Sequence, residues 1–309
     1  MTDDRQLRAL ELRLSEFART AAPPWEVPIE ETRRSRERGD SIFGPMVRSP
    51  RATEETIATD RGPIAVRVIR PNTAPRGVYI HIHGGGWVFG APHHQDSRLA
   101  HLADTTSQTV VSIDYRLAPE HPYPGGPDDC EAAALAIIDR GPDRFGADAI
   151  TIGGESAGAH LTVVTLLRLR DRHGWVSAAA ANLMYGVYDL RGTPSVHRAR
   201  SVPLVLTGPT LMWMIDRFLP SGTSRTDPDV SPLMADPVGL PPAIFTVGTA
   251  DPVLDDTVLL HHLWCDAGID AELQRFDGAP HAFDAFDIDI GRRALDRISG
   301  FLASRLPPK

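Results

Sequence analysis

Five consecutive residues, Gly154-Glu155-Ser156-Ala157-Gly158, hold the clearest chemical signal in the chain. A serine hydroxyl becomes a useful nucleophile when it is held clear of the backbone and given a neighbouring base. Here the serine follows an apolar run at 149–153 and opens a helical pattern at 157–172. The spacing predicts a sharp strand-to-helix turn, with small residues where the turn is crowded. The N-terminus of that helix adds positive potential where an oxyanion would form. A tight turn that merely needs glycines would read the same way, so the partners decide.

The second signal is His83-Gly84-Gly85-Gly86, placed after a predicted strand at 78–82 and upstream of the serine. Glycines there can turn backbone N–H groups toward a carbonyl oxygen. Gly84, Gly85 and Ala157 are the expected oxyanion donors, and His83 is expected to shape the loop. The serine also needs a base, and the chain has twelve histidines. His281 lies in a loop after the last predicted strand, at the sheet edge where α/β proteins place their sites. His261 and His262 fall mid-helix, and His160 points along the helix after the serine. An orienting acid should end the preceding strand. Asp251 fits best, with Asp255, Asp256 and Asp277 as alternatives. Ser156, Asp251 and His281 would then perform acyl transfer with no metal and no organic cofactor. The pair His93-His94 reads as a polar surface loop rather than a metal site.

These residues need elements to carry them. Leu7, Leu10, Leu14 and Phe17 mark a helix over 5–20, followed by prolines and a charged stretch at 30–40. Strands are predicted at 54–60, 64–69, 78–82, 109–114, 149–153, 178–186, 243–247 and 271–276. Helices are predicted at 97–107, 128–139, 157–172, 253–267 and 292–304. The alternation predicts a mostly parallel sheet covered on both faces. It breaks at 190–230, where five prolines surround one apolar segment at 211–219, as in an inserted lid. Met212 and Trp213 of that segment, with Trp87 and Phe283, are candidates to line a substrate pocket. The same segment would equally serve to pack a cap helix on the core.

Composition narrows the classes. The 309 residues, 42% hydrophobic and 23% charged, suffice for a large core. A net charge of −8 argues against nucleic acid as a partner. No apolar run is long enough for a membrane span. No secretory segment is recognised, so a cytoplasmic location is expected. Lys309 is the only lysine. Cys130 and Cys265 are expected to be a reduced pair.

With these motifs in place, the chain resembles the bacterial hormone-sensitive-lipase-like family of carboxylesterases, which have an α/β-hydrolase fold. The resemblance runs from Tyr79 to Phe283 and includes Asp114-Tyr115-Arg116-Leu117-Ala118-Pro119-Glu120-His121-Pro122-Tyr123-Pro124 and Asp251-Pro252-Val253-Leu254-Asp255. It implies an eight-stranded sheet flanked by helices, with a helical cap built from residues 1–52 and 190–228 over a core of 53–189 and 229–309. It also implies a small-molecule ester with a short to medium acyl chain as substrate, and a homodimer in many members. The segment from Asp114 to Pro124 is expected to buttress the oxyanion loop. The chain departs from the family pattern at Glu155, often Asp, at Ala159-His160, often Gly-Asn, and at Ala282, often Gly. An amidase, lactonase or acyltransferase would use the same triad. Plant gibberellin receptors resemble the family without a competent triad, whereas all three residues are present here.

Overall fold

A computed structural model describes residues 2–199 and 205–308. Eight strands form one sheet: β1 (Ala52–Thr59), β2 (Gly62–Ile69), β3 (Gly77–Ile82), β4 (Gln108–Ile113), β5 (Ile150–Glu155), β6 (Ala180–Met184), β7 (Ala243–Gly248) and β8 (Ala271–Phe276). Their spatial order is β1-β2-β4-β3-β5-β6-β7-β8. β1 and β2 form an antiparallel hairpin with Thr59 opposite Gly62, and β2 pairs antiparallel with β4. Every later pairing is parallel. Strands β3 to β7 are buried along their whole length, as central parallel strands covered on both faces must be. Their Val, Ile and Ala runs therefore show no polar alternation.

Helices α1 (Thr2–Thr20) and α2 (Ile29–Arg38) precede the sheet. Between the strands lie α3 (Asp96–Thr106), α4 (Gly125–Phe145), α5 (Ala157–His173), α6 (Pro194–Arg198), α7 (Gly208–Phe218) and α8 (Leu254–Asp266), and α9 (Asp289–Ser304) closes the chain. α3 packs with α9, and α4 with α5. Several elements differ from the sequence reading: the helix expected at 128–139 runs over Gly125–Phe145, and the short helix α6 was not expected. The charged stretch after Pro28 is helix α2, held by Arg34 pairing with Glu30 and Glu31 and by Arg33 donating to the carbonyls of Val88 and Ala118. β6 ends at Met184, because Tyr185 turns to a positive φ of 35°. Residues 200–204, inside the segment expected to be an inserted lid, lie outside the described residues. Both cysteines are free, Cys130 buried and Cys265 exposed. Among the described residues no helix is long and apolar enough to cross a membrane.

Candidate active site

Ser156 sits between β5 and α5 with φ 56° and ψ −121°, a strained conformation for a residue with a side chain. The glycines around it are sterically required. A Cβ on Gly154 would stand 2.2 Å from the Ile82 carbonyl oxygen, and one on Gly158 would stand 2.0 Å from the same atom. Those obstacles are backbone of the neighbouring strand and cannot swing aside. Gly158→Ala is therefore expected to destabilise the fold by about 3 kcal/mol, the upper end for overpacking, read from the urea midpoint.

The three residues picked out from chain order come together here. His281 Nε2 lies 2.9 Å from Ser156 Oγ. His281 Nδ1 lies 2.8 Å from Asp251 Oδ2 and 3.0 Å from Oδ1. Asp251 Oδ1 also accepts the Val253 N–H at 3.0 Å. With Nδ1–H donating to the carboxylate, Nε2 carries the lone pair and can accept the serine proton. Asp251 and His281 are both buried, 3% and 5% exposed. Two of the other acids are engaged elsewhere. Asp255 accepts the Ser195 N–H, while Asp256 accepts the N–H groups of Tyr188 and Asp189 and the Thr193 hydroxyl. Burial pushes the Asp256 carboxyl up to about 7.

The glycine loop requires one correction. The Gly84 N–H is already committed, donating to Glu155 Oε1 at 3.0 Å. It anchors the loop rather than facing a ligand, because a buried carboxylate needs its own donors. Among the described residues, the N–H groups of Gly85, Gly86 and Ala157 have no protein acceptor. His83 does shape the loop. Its Nδ1 bonds the Gly84 carbonyl at 2.9 Å, its ring stacks on Tyr115, and burial pushes its imidazole down to about 3. Tyr115 donates its hydroxyl to the His83 carbonyl, and Ala118 N–H donates to Trp87 O. The segment from Asp114 to Pro124 thus braces the loop directly.

Glu155 is the hub beneath the site. Its Oε2 meets His81 Nε2 at 3.0 Å and Arg98 at 2.8 Å, and Arg98 also pairs with Asp284. Tyr185 donates its hydroxyl to Asp284 and sets its ring edge against His281, centroids 4.8 Å apart. Burial raises the Glu155 carboxyl, but Arg98 and then His81 outweigh it and hold it at about 2. Its folded pKa is depressed, so its contribution to stability is present above the ordinary carboxylate range and disappears as pH falls toward 2. That contribution is on the order of 3 kcal/mol at neutral pH. The stability gap between the wild type and Glu155→Gln is expected to narrow by this order between pH 7 and pH 2. Urea midpoints across that range check it, and a pH-independent gap would refute it.

A cavity of about 1540 Å³ opens in front of Ser156 and His281. The four expected pocket residues do not border it. Trp87, at a positive φ of 60°, is buried, donates to His160 Nδ1 at 3.1 Å and stacks on Phe218. Phe283 is wholly buried against Tyr185 and Phe276. Trp213 stacks on Phe89 beneath the Arg217 guanidinium, and Met212 lies against Gly192. The cavity wall is instead made by Thr210 and Met214 of α7, by Phe89, and by Trp25, Arg36 and Phe43 of the N-terminal arm. Met214 presses so closely on the glycine loop that its Sδ would lie 2.0 Å from a Cβ on Gly86. His93 and His94 are not a free surface loop. Both share the Glu37 carboxylate, tying α2 to the core, and His94 is largely buried.

Comparisons with known proteins bear on the fold and the reaction class. Residues 79–285 match the family described by the α/β hydrolase fold. An acetyl-hydrolase of Streptomyces hygroscopicus is 30% identical over 76% of this chain and 78% of its own length. A carboxylesterase of Mycobacterium tuberculosis is 30% identical over 72% of this chain and 70% of its own. Among solved structures, an esterase from Pyrobaculum calidifontis superposes with a TM-score of 0.87 at 30% identity, covering 96% of this chain and 97% of that one. A hormone-sensitive lipase from a metagenome library gives 0.83 at 26% identity, covering 99% and 98%. The chain belongs to the hormone-sensitive-lipase-like family of α/β-hydrolases and is a carboxylic ester hydrolase.

Proposed function

We propose that the enzyme hydrolyses short- to medium-chain acyl esters through an acyl-enzyme on Ser156. The hydrogen-bonded line from Asp251 through His281 to Ser156 Oγ carries this reading. Ser156 Oγ attacks the ester carbonyl carbon as its proton passes to His281 Nε2. The carbonyl oxygen becomes an oxyanion, for which Gly85, Gly86 and Ala157 supply uncommitted N–H donors. When the carbon–alkoxy bond breaks, the imidazolium gives its proton to the departing alcohol. Water then repeats the attack on the acyl-enzyme, losing a proton to His281, and the acid leaves as Oγ recovers its proton. Residues 1–52 and 190–228 act as the cap, supported by the cavity wall they contribute.

A p-nitrophenyl ester series from acetate to palmitate tests the reading. Activity is expected to peak at short to medium chains and to fall for the long ones. A folded, purified enzyme inactive on the whole series would overturn it.

A further inference from the structure

Charged side chains are common on the cavity wall, and nearly all are paired. Arg33 meets Glu120, Arg98 meets Glu155 and Asp284, and Arg292 meets Asp287. Arg36 is the exception. Among the described residues no carboxylate lies within ion-pair distance of it and no acceptor bonds its guanidinium, whose Nε is shielded from water. Its guanidinium lies over the ring of Phe43, with Cζ 4.4 Å from the centroid. That contact sets the guanidinium over the ring, and a ring face accepts none of its N–H groups in an ordinary hydrogen bond. Phe43 in turn stacks on Phe286, five residues after His281. Burial pushes the Arg36 guanidinium down to about 10, and Glu155 and Glu37 offset this only in part. Those two carboxylates are already occupied, Glu155 by Gly84, His81 and Arg98, and Glu37 by His93 and His94.

A half-buried cation without a counterion is costly unless a ligand provides one. A planar guanidinium fork matches a carboxylate in two parallel hydrogen bonds. It stands on the wall of the same cavity as Ser156 and His281. We propose that Arg36 is an anion-receiving subsite and that the preferred substrates are esters bearing a second, ionised carboxylate. This rests on the esterase reading above. The carboxylate can sit on the acyl side, as in a monoester of a dicarboxylic acid, or on the alcohol side, as in an acylated hydroxy acid.

The experiment compares matched pairs. Monomethyl adipate against methyl hexanoate probes the acyl side, and 4-(butyryloxy)benzoate against 4-methylphenyl butyrate the alcohol side. The wild type is expected to favour the anionic member of one pair by about ten- to hundred-fold in kcat/KM, the range for a charge-assisted hydrogen bond. That ratio should collapse in Arg36→Met and survive in part in Arg36→Lys, with circular dichroism confirming both folds. Turnover of both members with a ratio near one, or a ratio that Arg36→Met leaves intact, would overturn the subsite. If no ester is turned over, the esterase reading has failed. Titration calorimetry with adipate then decides the subsite alone: binding to the wild type and not to Arg36→Met sustains it, and no binding overturns it.

Discussion

Ser156→Ala is expected to lower kcat/KM on p-nitrophenyl butyrate by about 10⁴- to 10⁶-fold, the range seen when a triad nucleophile is removed. The fold should be unaffected within about 1 kcal/mol, the ordinary range for a change that breaks no core packing. The hydroxyl's recorded partner is His281 Nε2, and the strain at φ 56° belongs to the backbone. An alanine Cβ already fits where the serine Cβ stands. Because the residues act as one unit, Ser156→Ala/His281→Ala should be no slower than either single variant. A fluorophosphonate should label the wild type at Ser156 and leave the alanine variant unlabelled. A variant keeping more than a tenth of wild-type activity would place the nucleophile elsewhere, and labelling at another serine would say where.

What could be read from the sequence has a common physical cause. The elbow and the His-Gly-Gly-Gly loop are local devices, and their crowding is written in adjacent small residues. Gly154 and Gly158 both face the Ile82 carbonyl, so no other residue fits. Asp251 was legible because it follows a strand that a buried apolar run announces, and His281 because it follows the partly exposed edge strand β8. What escaped is non-local. Helix α2 has no apolar stripe, since it is held by ion pairs and by Arg33 reaching carbonyls 55 and 85 residues away. The pocket residues escaped because one position along α7 turns a side chain by about 100°. Packing of Leu211, Ile215 and Phe218 in the core aims Met214 at the glycine loop, and Trp213 toward Phe89. The Gly84 amide escaped because its acceptor is the variable position of a different motif. A glutamate at 155 is long enough to reach both that amide and Arg98. Arg36 left no signal at all, being one of 31 arginines in the chain.

The carboxylate at 251 admits a sharper test than its removal. Asp251 uses both oxygens: Oδ2 and Oδ1 face His281 Nδ1, and Oδ1 also accepts the Val253 N–H. Asparagine has the same shape and only one oxygen. With its oxygen toward Val253, its NH₂ faces Nδ1 and draws the proton to Nε2, which then cannot accept from Ser156. With its oxygen toward His281, its NH₂ opposes the Val253 N–H, a buried donor loses its acceptor, and the negative charge that stabilises the imidazolium is gone. Either way the base is lost while the side chains stay where they are. Asp251→Asn is therefore expected to lower kcat by about 10⁴-fold with KM little changed, as for a triad aspartate elsewhere. Asp255→Asn, whose carboxylate serves the Ser195 N–H and Arg198, is expected to stay within a few-fold of wild type. Steady-state kinetics on both variants decide the assignment. The reverse order, with Asp255→Asn crippled and Asp251→Asn within tenfold, would hand the orienting role to the neighbouring acid.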